Sequence, residues 1–111
     1  MARLVIKHAV GGRTFVDSDA NQQVRFEIKK LDMGTTLIIA HLPEGLDKDV
    51  AELLKWKQEL NIFIFEVLYD GREQKTWFYT GDGDIQYNET ERILRLGSSR
   101  EIRYLPSNYL M

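Results

Sequence analysis

The chain of 111 residues has no cysteine and no long hydrophobic run. Without cysteine it can form neither a disulfide framework nor a thiolate zinc site, and this absence favours a cytoplasmic location. No stretch approaches the ~20 apolar residues that a membrane-spanning helix needs. The apolar run near the N-terminus is interrupted at Lys7 and His8 and is too short for a signal peptide. We therefore expect a soluble protein that does not enter a membrane.

The motifs of common catalytic and nucleotide-binding sites are also missing. There is no GxSxG, no GxxxxGK[ST] and no complete GxGxxG. The two histidines, His8 and His41, do not occur in an HExxH, HxH or HxxxH spacing. Residues 17–21 and 82–84 resemble the start of a calcium-binding loop, but both lack the glycine and glutamate that the loop requires later. We therefore expect no metal ion and no cofactor.

The composition is that of an ordinary folded domain. The hydrophobic fraction is 43% and the charged fraction 29%, both close to globular averages, so disorder is not expected. A chain of this length forms one domain and buries roughly two-thirds of its unfolded surface. We therefore treat residues 1–111 as a single globular domain. The net charge of −2 argues against a dedicated nucleic-acid binder.

The strongest local signal is an Asp-Gly pair between two runs of strand-forming residues over 62–80. Such a pair is typical of a two-residue hairpin turn, because Gly71 can adopt the positive φ that the turn requires. This register would place Glu66 opposite Lys75. Four successive apolar residues from Ile62 predict a central strand that is covered on both faces.

Two further hairpins are predicted earlier in the chain. Residues 3–10 and 13–17 are strand-like runs that two glycines join. Residues 24–31 alternate between apolar and charged side chains, which is the period of a strand with one face in water. A short turn then leads into the apolar run 35–42, which predicts a buried strand.

One helix is predicted over residues 47–60, where leucine and valine recur at helical spacing. It lies between two predicted buried strands, 35–42 and 62–69, and we interpret the three elements as a right-handed βαβ crossover with parallel strands. The predicted fold is therefore α+β. It consists of a mixed, mainly antiparallel β-sheet built from hairpins, one βαβ crossover, and the main helix packed on the sheet.

The last third of the chain permits two interpretations. Asn88 and Glu91 have the spacing of a capping box, and Gly97 could end a short helix over 89–96. Alternatively, the residues on either side of Gly97 could form one more hairpin. We favour the helix, followed by a strand over 101–105.

Candidate binding residues concentrate near the C-terminus, where four arginines occur together with tyrosines. Guanidinium groups beside aromatic rings could hold a phosphate group, a single strand of RNA or an acidic partner surface. Trp56 is a further aromatic side chain expected at the surface, and the apolar tail suits docking onto a second subunit. The candidates are Arg92, Arg95, Arg100, Arg103, Tyr104, Trp56 and Tyr109.

Two functions from different classes follow from these observations. The first is a non-catalytic binding, regulatory or accessory protein, which acts through protein–protein or ligand binding and forms a homodimer. The alternative is a small hydrolase or phosphodiesterase, or a binder of a small phosphorylated ligand. There His41 would act as acid or base, and Arg92 or Arg95 would hold the phosphate. The alternative requires these side chains to meet in one pocket.

Overall fold

The computed structural model describes residues 2–31, 34–68, 70–80 and 84–104, which form two β-sheets and one α-helix. The strands are β1 (Ala2–His8), β2 (Thr14–Asp17), β3 (Arg25–Lys30), β4 (Thr36–His41), β5 (Leu60–Val67), β6 (Glu73–Tyr79), β7 (Ile85–Asn88), β8 (Ile93–Ser98) and β9 (Glu101–Tyr104). The helix, α1, is Asp47–Lys55 and falls between β4 and β5. Within these residues no helix has the length and apolar character needed to cross a membrane.

Four successive hairpins alternate between the two sheets. The hairpins β1–β2 and β5–β6 belong to a five-stranded sheet of order β2-β1-β5-β6-β9, and β3–β4 and β7–β8 form a four-stranded sheet of order β3-β4-β8-β7. All pairings of neighbouring strands in these sheets are antiparallel. The α+β class with a mainly antiparallel arrangement is thus confirmed, as are the hairpins predicted over 3–17, 24–42 and 62–80.

The two sheets pack face to face around one apolar core. Because side chains alternate along a strand, every second residue of the central strands points into this core. Val50 and Leu53 of α1 are buried in the same cluster. The fully buried aliphatic residues of the sheets include Leu4, Ile6, Ile62, Ile64, Ile38, Leu94 and Leu96.

The predicted βαβ crossover is wrong. β4 lies in the four-stranded sheet and β5 in the five-stranded sheet, so α1 connects two different sheets rather than two parallel neighbours. The apolar runs within 35–42 and 62–69 do mark strands, β4 and β5, that bury side chains in the core. An apolar run does not indicate which strand its own strand pairs with. In this fold the inward side chains of both strands are buried by the opposite sheet.

The helix begins at Asp47 as predicted but ends at Lys55, five residues before the predicted end at 60. The N–H of Trp56 donates to the carbonyl of Leu53 (3.1 Å), and the N–H of Glu59 donates to the carbonyl of Trp56 (2.7 Å). Both bonds span three residues, so the chain tightens into successive turns after the helix. The apolar residue at position 60 is buried as predicted, but in β5.

Thr80, directly after β6, fixes this turn to the sheet. Its hydroxyl donates to the carbonyl of Lys57 (2.8 Å) and accepts the N–H of Leu60 (3.2 Å). The residue is completely buried. A single hydroxyl therefore satisfies two backbone groups where the chain leaves α1 and enters β5.

The short helix predicted over 89–96 is also wrong, because the chain there forms the turn of a hairpin and then β8. The side chain of Asn88 accepts the N–H of Glu91 (3.0 Å), as a capping box would require, but it closes a turn between β7 and β8. The hairpin predicted around Gly97 does not form either. β8 pairs with β4 and β7, whereas β9 pairs with β6 in the other sheet. The strand predicted over 101–105 is confirmed for its four described residues.

The β5–β6 hairpin forms with a register that differs by one residue from the prediction. Lys75 lies opposite Phe65 instead of Glu66. Three residues rather than two separate the closing backbone pair, and the last of them, Gly71, has φ of 86°. This is the geometry of a longer turn that a glycine bulge completes. Because the side-chain period is two, the shift moves Lys75 to the face that carries Phe65.

We expect the substitution Thr80→Val to destabilise the protein by about 1–3 kcal/mol, because it removes the partner of the buried N–H of Leu60 and of the partly buried carbonyl of Lys57. The measurement is the free energy of unfolding from urea titration. Thr76→Val is the matched control, since Thr76 is also buried in β6 but its hydroxyl has no hydrogen bond to a described residue. Equal losses in the two variants would contradict the role of the Thr80 hydroxyl.

Candidate functional site

The outer face of the five-stranded sheet carries a cluster of aromatic side chains. Phe63 and Phe65 of β5 and Trp77 of β6 are half-buried on this face, while the core-facing residues between them are fully buried. Ile102 of β9 lies opposite Trp77 and is 47% exposed. The four-stranded sheet covers the other side of these strands. We call the surface formed by Arg3, Phe63, Phe65, Lys75, Trp77 and Ile102 the aromatic face.

Two cations lie over the rings of the aromatic face. The Nζ of Lys75 is 4.5 Å from the ring centroid of Phe63 and 6.0 Å from that of Phe65, and the guanidinium carbon of Arg3 is 5.5 Å from Phe65. These distances are within the range of cation–π attraction. The indole N–H of Trp77 donates to the side-chain oxygen of Asn61 (2.9 Å). The rings are therefore held in place by neighbours on their own face.

The charge of Arg3 is balanced locally. Its guanidinium donates two hydrogen bonds to the carboxylate of Asp17, at 3.0 and 2.7 Å, and lies 3.5 Å from Asp19. Asp17 also accepts the backbone N–H of Asp19 (3.0 Å). The bond from Arg3 lowers the pKa of Asp17 below its usual value, and the same bond raises the pKa of Arg3. The edge of the aromatic face at β1 and β2 therefore has no excess of positive charge.

The structure separates the four candidate arginines. Arg92 lies in the turn between β7 and β8, 3.8 Å from Glu44, and Arg95 projects from the outer face of the four-stranded sheet. Arg100 is in the segment that crosses from β8 to β9, and Arg103 is in β9 on the inner face of the five-stranded sheet. The predicted helical face shared by the first two of these residues does not form, because both belong to a hairpin.

His41 lies at the end of β4, 47% exposed, with its Nε2 3.4 Å from the carboxylate of Glu27. It is opposite Ile93 in β8, so Arg92 and Arg95 are both near it along the neighbouring strand. A concavity of about 220 Å³ lies beside Arg95, but His41 is not part of it. Its lining residues are Gln86, Tyr87, Asn88, Glu91, Ile93 and Arg95. The three residues of the hydrolase alternative thus share a region, and His41 stays outside this concavity.

Trp56 packs on the ring of His8, with 4.8 Å between the ring centroids. The Nε2 of His8 is buried, has no hydrogen-bond partner among the described residues, and is 3.5 Å from the carboxylate of Glu59. Trp56 is 41% exposed, so it covers His8 with one ring face and meets solvent with the rest. This candidate is therefore engaged in packing at the end of α1.

The remaining two candidates are in the C-terminal segment. Tyr104 is the last residue of β9, where its backbone lies opposite Lys75. Tyr109 and the rest of the tail, 105–111, lie outside the described residues. Elsewhere, the described parts of the chain contain no group of three histidine, aspartate or glutamate side chains placed to hold a metal ion.

A second site lies between the sheets, where β3 faces β6 and β9. We call it the inter-sheet cleft. Its volume is about 230 Å³. At its rim the ammonium of Lys30 donates to both carboxylate oxygens of Glu101 (2.7 and 2.9 Å) and to the hydroxyl of Thr36 (3.0 Å). The cleft is lined by Ile28, Lys30, Ile64, Glu66, Gln74, Thr76, Phe78, Glu101 and Arg103.

Sequence reasoning missed both surfaces for identifiable reasons. The prediction that the strand with Phe63 and Phe65 is covered on both faces is wrong, because only its inner face packs against the other sheet. The predicted register, which differs by one residue, puts Lys75 on the wrong face. The inter-sheet cleft depends on which strands face each other across the sandwich, which the sequence does not state. One local signal was present: Lys30 continues the inward period of Phe26 and Ile28 in β3.

Replacing Asp17 with asparagine tests the ion pair at the edge of the aromatic face. Because folding lowers the pKa of Asp17, its contribution to stability is present above the unfolded pKa of about 3.9 and is lost as the pH falls through the lower folded value. We expect Asp17→Asn to cost about 1 kcal/mol at pH 7, since Arg3 is partly exposed, and almost nothing near pH 2.

The test compares the free energy of unfolding of the natural chain with that of Asp17→Asn between about pH 2 and pH 7. The control is Glu89→Gln, which removes an exposed carboxylate from the turn before β8. A loss for Asp17→Asn that is as large at pH 2 as at pH 7 would show that the charge of Asp17 does not stabilise the fold.

In comparisons with known proteins, no family model, curated protein or solved structure matches the chain. The aromatic face and the inter-sheet cleft are therefore the features of this protein that indicate a function.

Proposed function

We propose that the protein is a non-catalytic binding protein, and that its aromatic face binds a second copy of the chain to form a homodimer. The observation that carries this proposal is the cluster of Phe63, Phe65, Trp77 and Ile102 on one solvent-facing sheet surface. Aromatic side chains are enriched in the cores of protein interfaces and supply much of their binding energy. A binding role needs no catalytic group in the sheet.

The charge of the aromatic face supports a protein partner over a nucleic acid. Single-stranded nucleic acids bind where aromatic rings are combined with a distinctly basic groove. Here Arg3 is paired with Asp17, and Glu73 lies close enough to contribute to the electrostatic environment of Arg3. Lys75 is already over two rings. The aromatic face thus lacks a strong excess of positive charge.

The size and charge pattern of the aromatic face support a second copy as the occupant. Five strands about 4.8 Å apart, with a mean length of about 20 Å, present roughly 500 Å² per subunit, or about 1,000 Å² in a dimer. That area is near the lower limit for a specific interface and corresponds to a weak dimer. A two-fold interface must also be self-complementary. The positive charges of the aromatic face have the carboxylates of Asp17 and Glu73 near Arg3, so charges of both signs are available for such a contact.

The C-terminal tail is proposed to add to this contact. β9 is the edge strand of the five-stranded sheet, and the apolar sequence of 105–111 follows it directly. Seven residues can span at most about 23 Å, which is comparable with the width of the sheet. Deletion of 106–111 therefore measures the contribution of the tail separately from that of the aromatic face.

Light scattering at tens of micromolar, with the mass compared to the 13.0 kDa monomer, tests the dimer. We expect an average mass above the monomer for the natural chain and a monomeric mass for Ile102→Lys, because a charge would be buried at the contact. Leu31→Lys is the matched control, since Leu31 is 46% exposed compared with 47% for Ile102 and lies away from the aromatic face.

Two results would contradict this proposal. The first is a monomeric mass for the natural chain that deletion of 106–111 leaves unchanged. The second is a dimer that Ile102→Lys and Leu31→Lys affect equally, which would assign the contact to another surface. The hydrolase alternative has no comparable observation in its support, because His41 lies outside the concavity beside Arg95.

A further inference from the structure

The inter-sheet cleft combines an apolar floor with a charged rim. Ile64 and Phe78, which are almost completely buried, form part of the floor together with Ile28 from the opposite sheet. The volume of about 230 Å³ is below the range of roughly 300–1,000 Å³ that is usual for drug-sized ligands. The cleft therefore suits a molecule with few non-hydrogen atoms.

The rim has four charged groups, and two of them form an ion pair with each other. Lys30 and Glu101 form an ion pair with two short contacts, and Lys30 completes its bonding through Thr36. This pair joins the edge strands β3 and β9 across the two sheets. Its charges are therefore occupied in holding the rim together.

The other two charged groups retain most of their binding capacity. Arg103 has one contact of 3.4 Å with Glu101, which leaves most of the donors of its guanidinium free. Glu66 has no side-chain hydrogen bond or ion pair with any residue that the structure describes. The rim thus offers one cation and one anion that do not contact each other.

The sheet register fixes the relation between Arg103 and Glu66. Arg103 lies opposite Thr76, and Glu66 lies opposite Gln74, so the two charged residues are two strands apart and displaced by two positions along the strand. Sheet spacings place their Cα atoms about 12 Å apart. Both side chains are on the inner face, and their lengths allow the charged ends to converge on a small molecule between them.

We propose that the inter-sheet cleft binds a free α-amino acid with an apolar side chain. Its carboxylate is held by Arg103, its ammonium group by Glu66, and its side chain by the floor at Ile28, Ile64 and Phe78. Charge-assisted hydrogen bonds of this kind are stronger than neutral ones and select for a ligand that carries both charges. The site is on the opposite side of the sheet from the aromatic face, so the proposal does not depend on the homodimer.

Calorimetric titration of the full chain with leucine, 4-methylpentanoate and leucinamide tests this assignment. 4-Methylpentanoate lacks the ammonium group of leucine, and leucinamide lacks its carboxylate. We expect leucine to bind and each analogue to bind about tenfold more weakly or worse, because each leaves one charged group of the rim unpaired.

Two charge-removing variants locate the binding. Glu66→Gln should weaken leucine binding by about tenfold and leave 4-methylpentanoate binding unchanged, whereas Arg103→Gln should weaken both. Arg95→Gln is the matched control, because Arg95 is an exposed arginine on the outer face of the other sheet. The Arg103 side chain is 56% exposed, so its replacement leaves the fold intact, which circular dichroism verifies.

The assignment would be overturned by either of two results. One is the absence of binding for all three compounds at about 10 mM, a concentration that detects millimolar affinity. The other is leucine binding that Glu66→Gln and Arg103→Gln affect no more than Arg95→Gln. Neither result would bear on the homodimer, which is measured by mass alone.

Discussion

Burial of one face of each sheet against the other is the constraint on which the remaining features depend. Along β5, Leu60, Ile62 and Ile64 must point inward to complete the core, and the alternation of side chains then directs Phe63 and Phe65 outward. A slip of one residue would reverse this assignment and place the phenylalanines inside. The packing that directs the aliphatic residues into the core therefore also directs the aromatic residues to the outer face. The position of the aromatic face is as strongly fixed as the core.

Much of the fold could be predicted from alternation and turn residues, since both act over a few neighbouring positions. The strands of the first three hairpins and the start of α1 at Asp47 follow from such local patterns. The assignment of strands to sheets could not be predicted, because it depends on contacts between distant segments. The helix predicted over 89–96 failed for a related reason: the hydrogen bond between Asn88 and Glu91 forms equally well in a hairpin turn, and pairing of β8 with β4 decides between the two.

The candidate sites show the same division between local and distant information. The grouping of arginines with tyrosines near the C-terminus makes Arg103 a candidate, yet its position in the inter-sheet cleft comes from the pairing of β9 with β6. For its counterpart Glu66 the sequence predicts only a cross-strand pair with Lys75 and no binding role, because a glutamate near the end of a strand is usual at a surface. Adjacent residues of β5, Phe65 and Glu66, thus belong to two different proposed sites on opposite sides of one sheet.

The alternation of hairpins between the sheets also has a consequence for how the chain folds. In each sheet the two hairpins are joined by one central pair of strands, β1 with β5 and β4 with β8. The paired residues in these strands are about half of the chain length apart in sequence. The hairpins can form early, but the edges of β1 and β4 stay open until the second half of the chain reaches them. Such non-local pairing gives a high contact order, and domains of this type fold in milliseconds to seconds. During synthesis on the ribosome, the first half of this protein must therefore persist with two unpaired strand edges before either sheet can close.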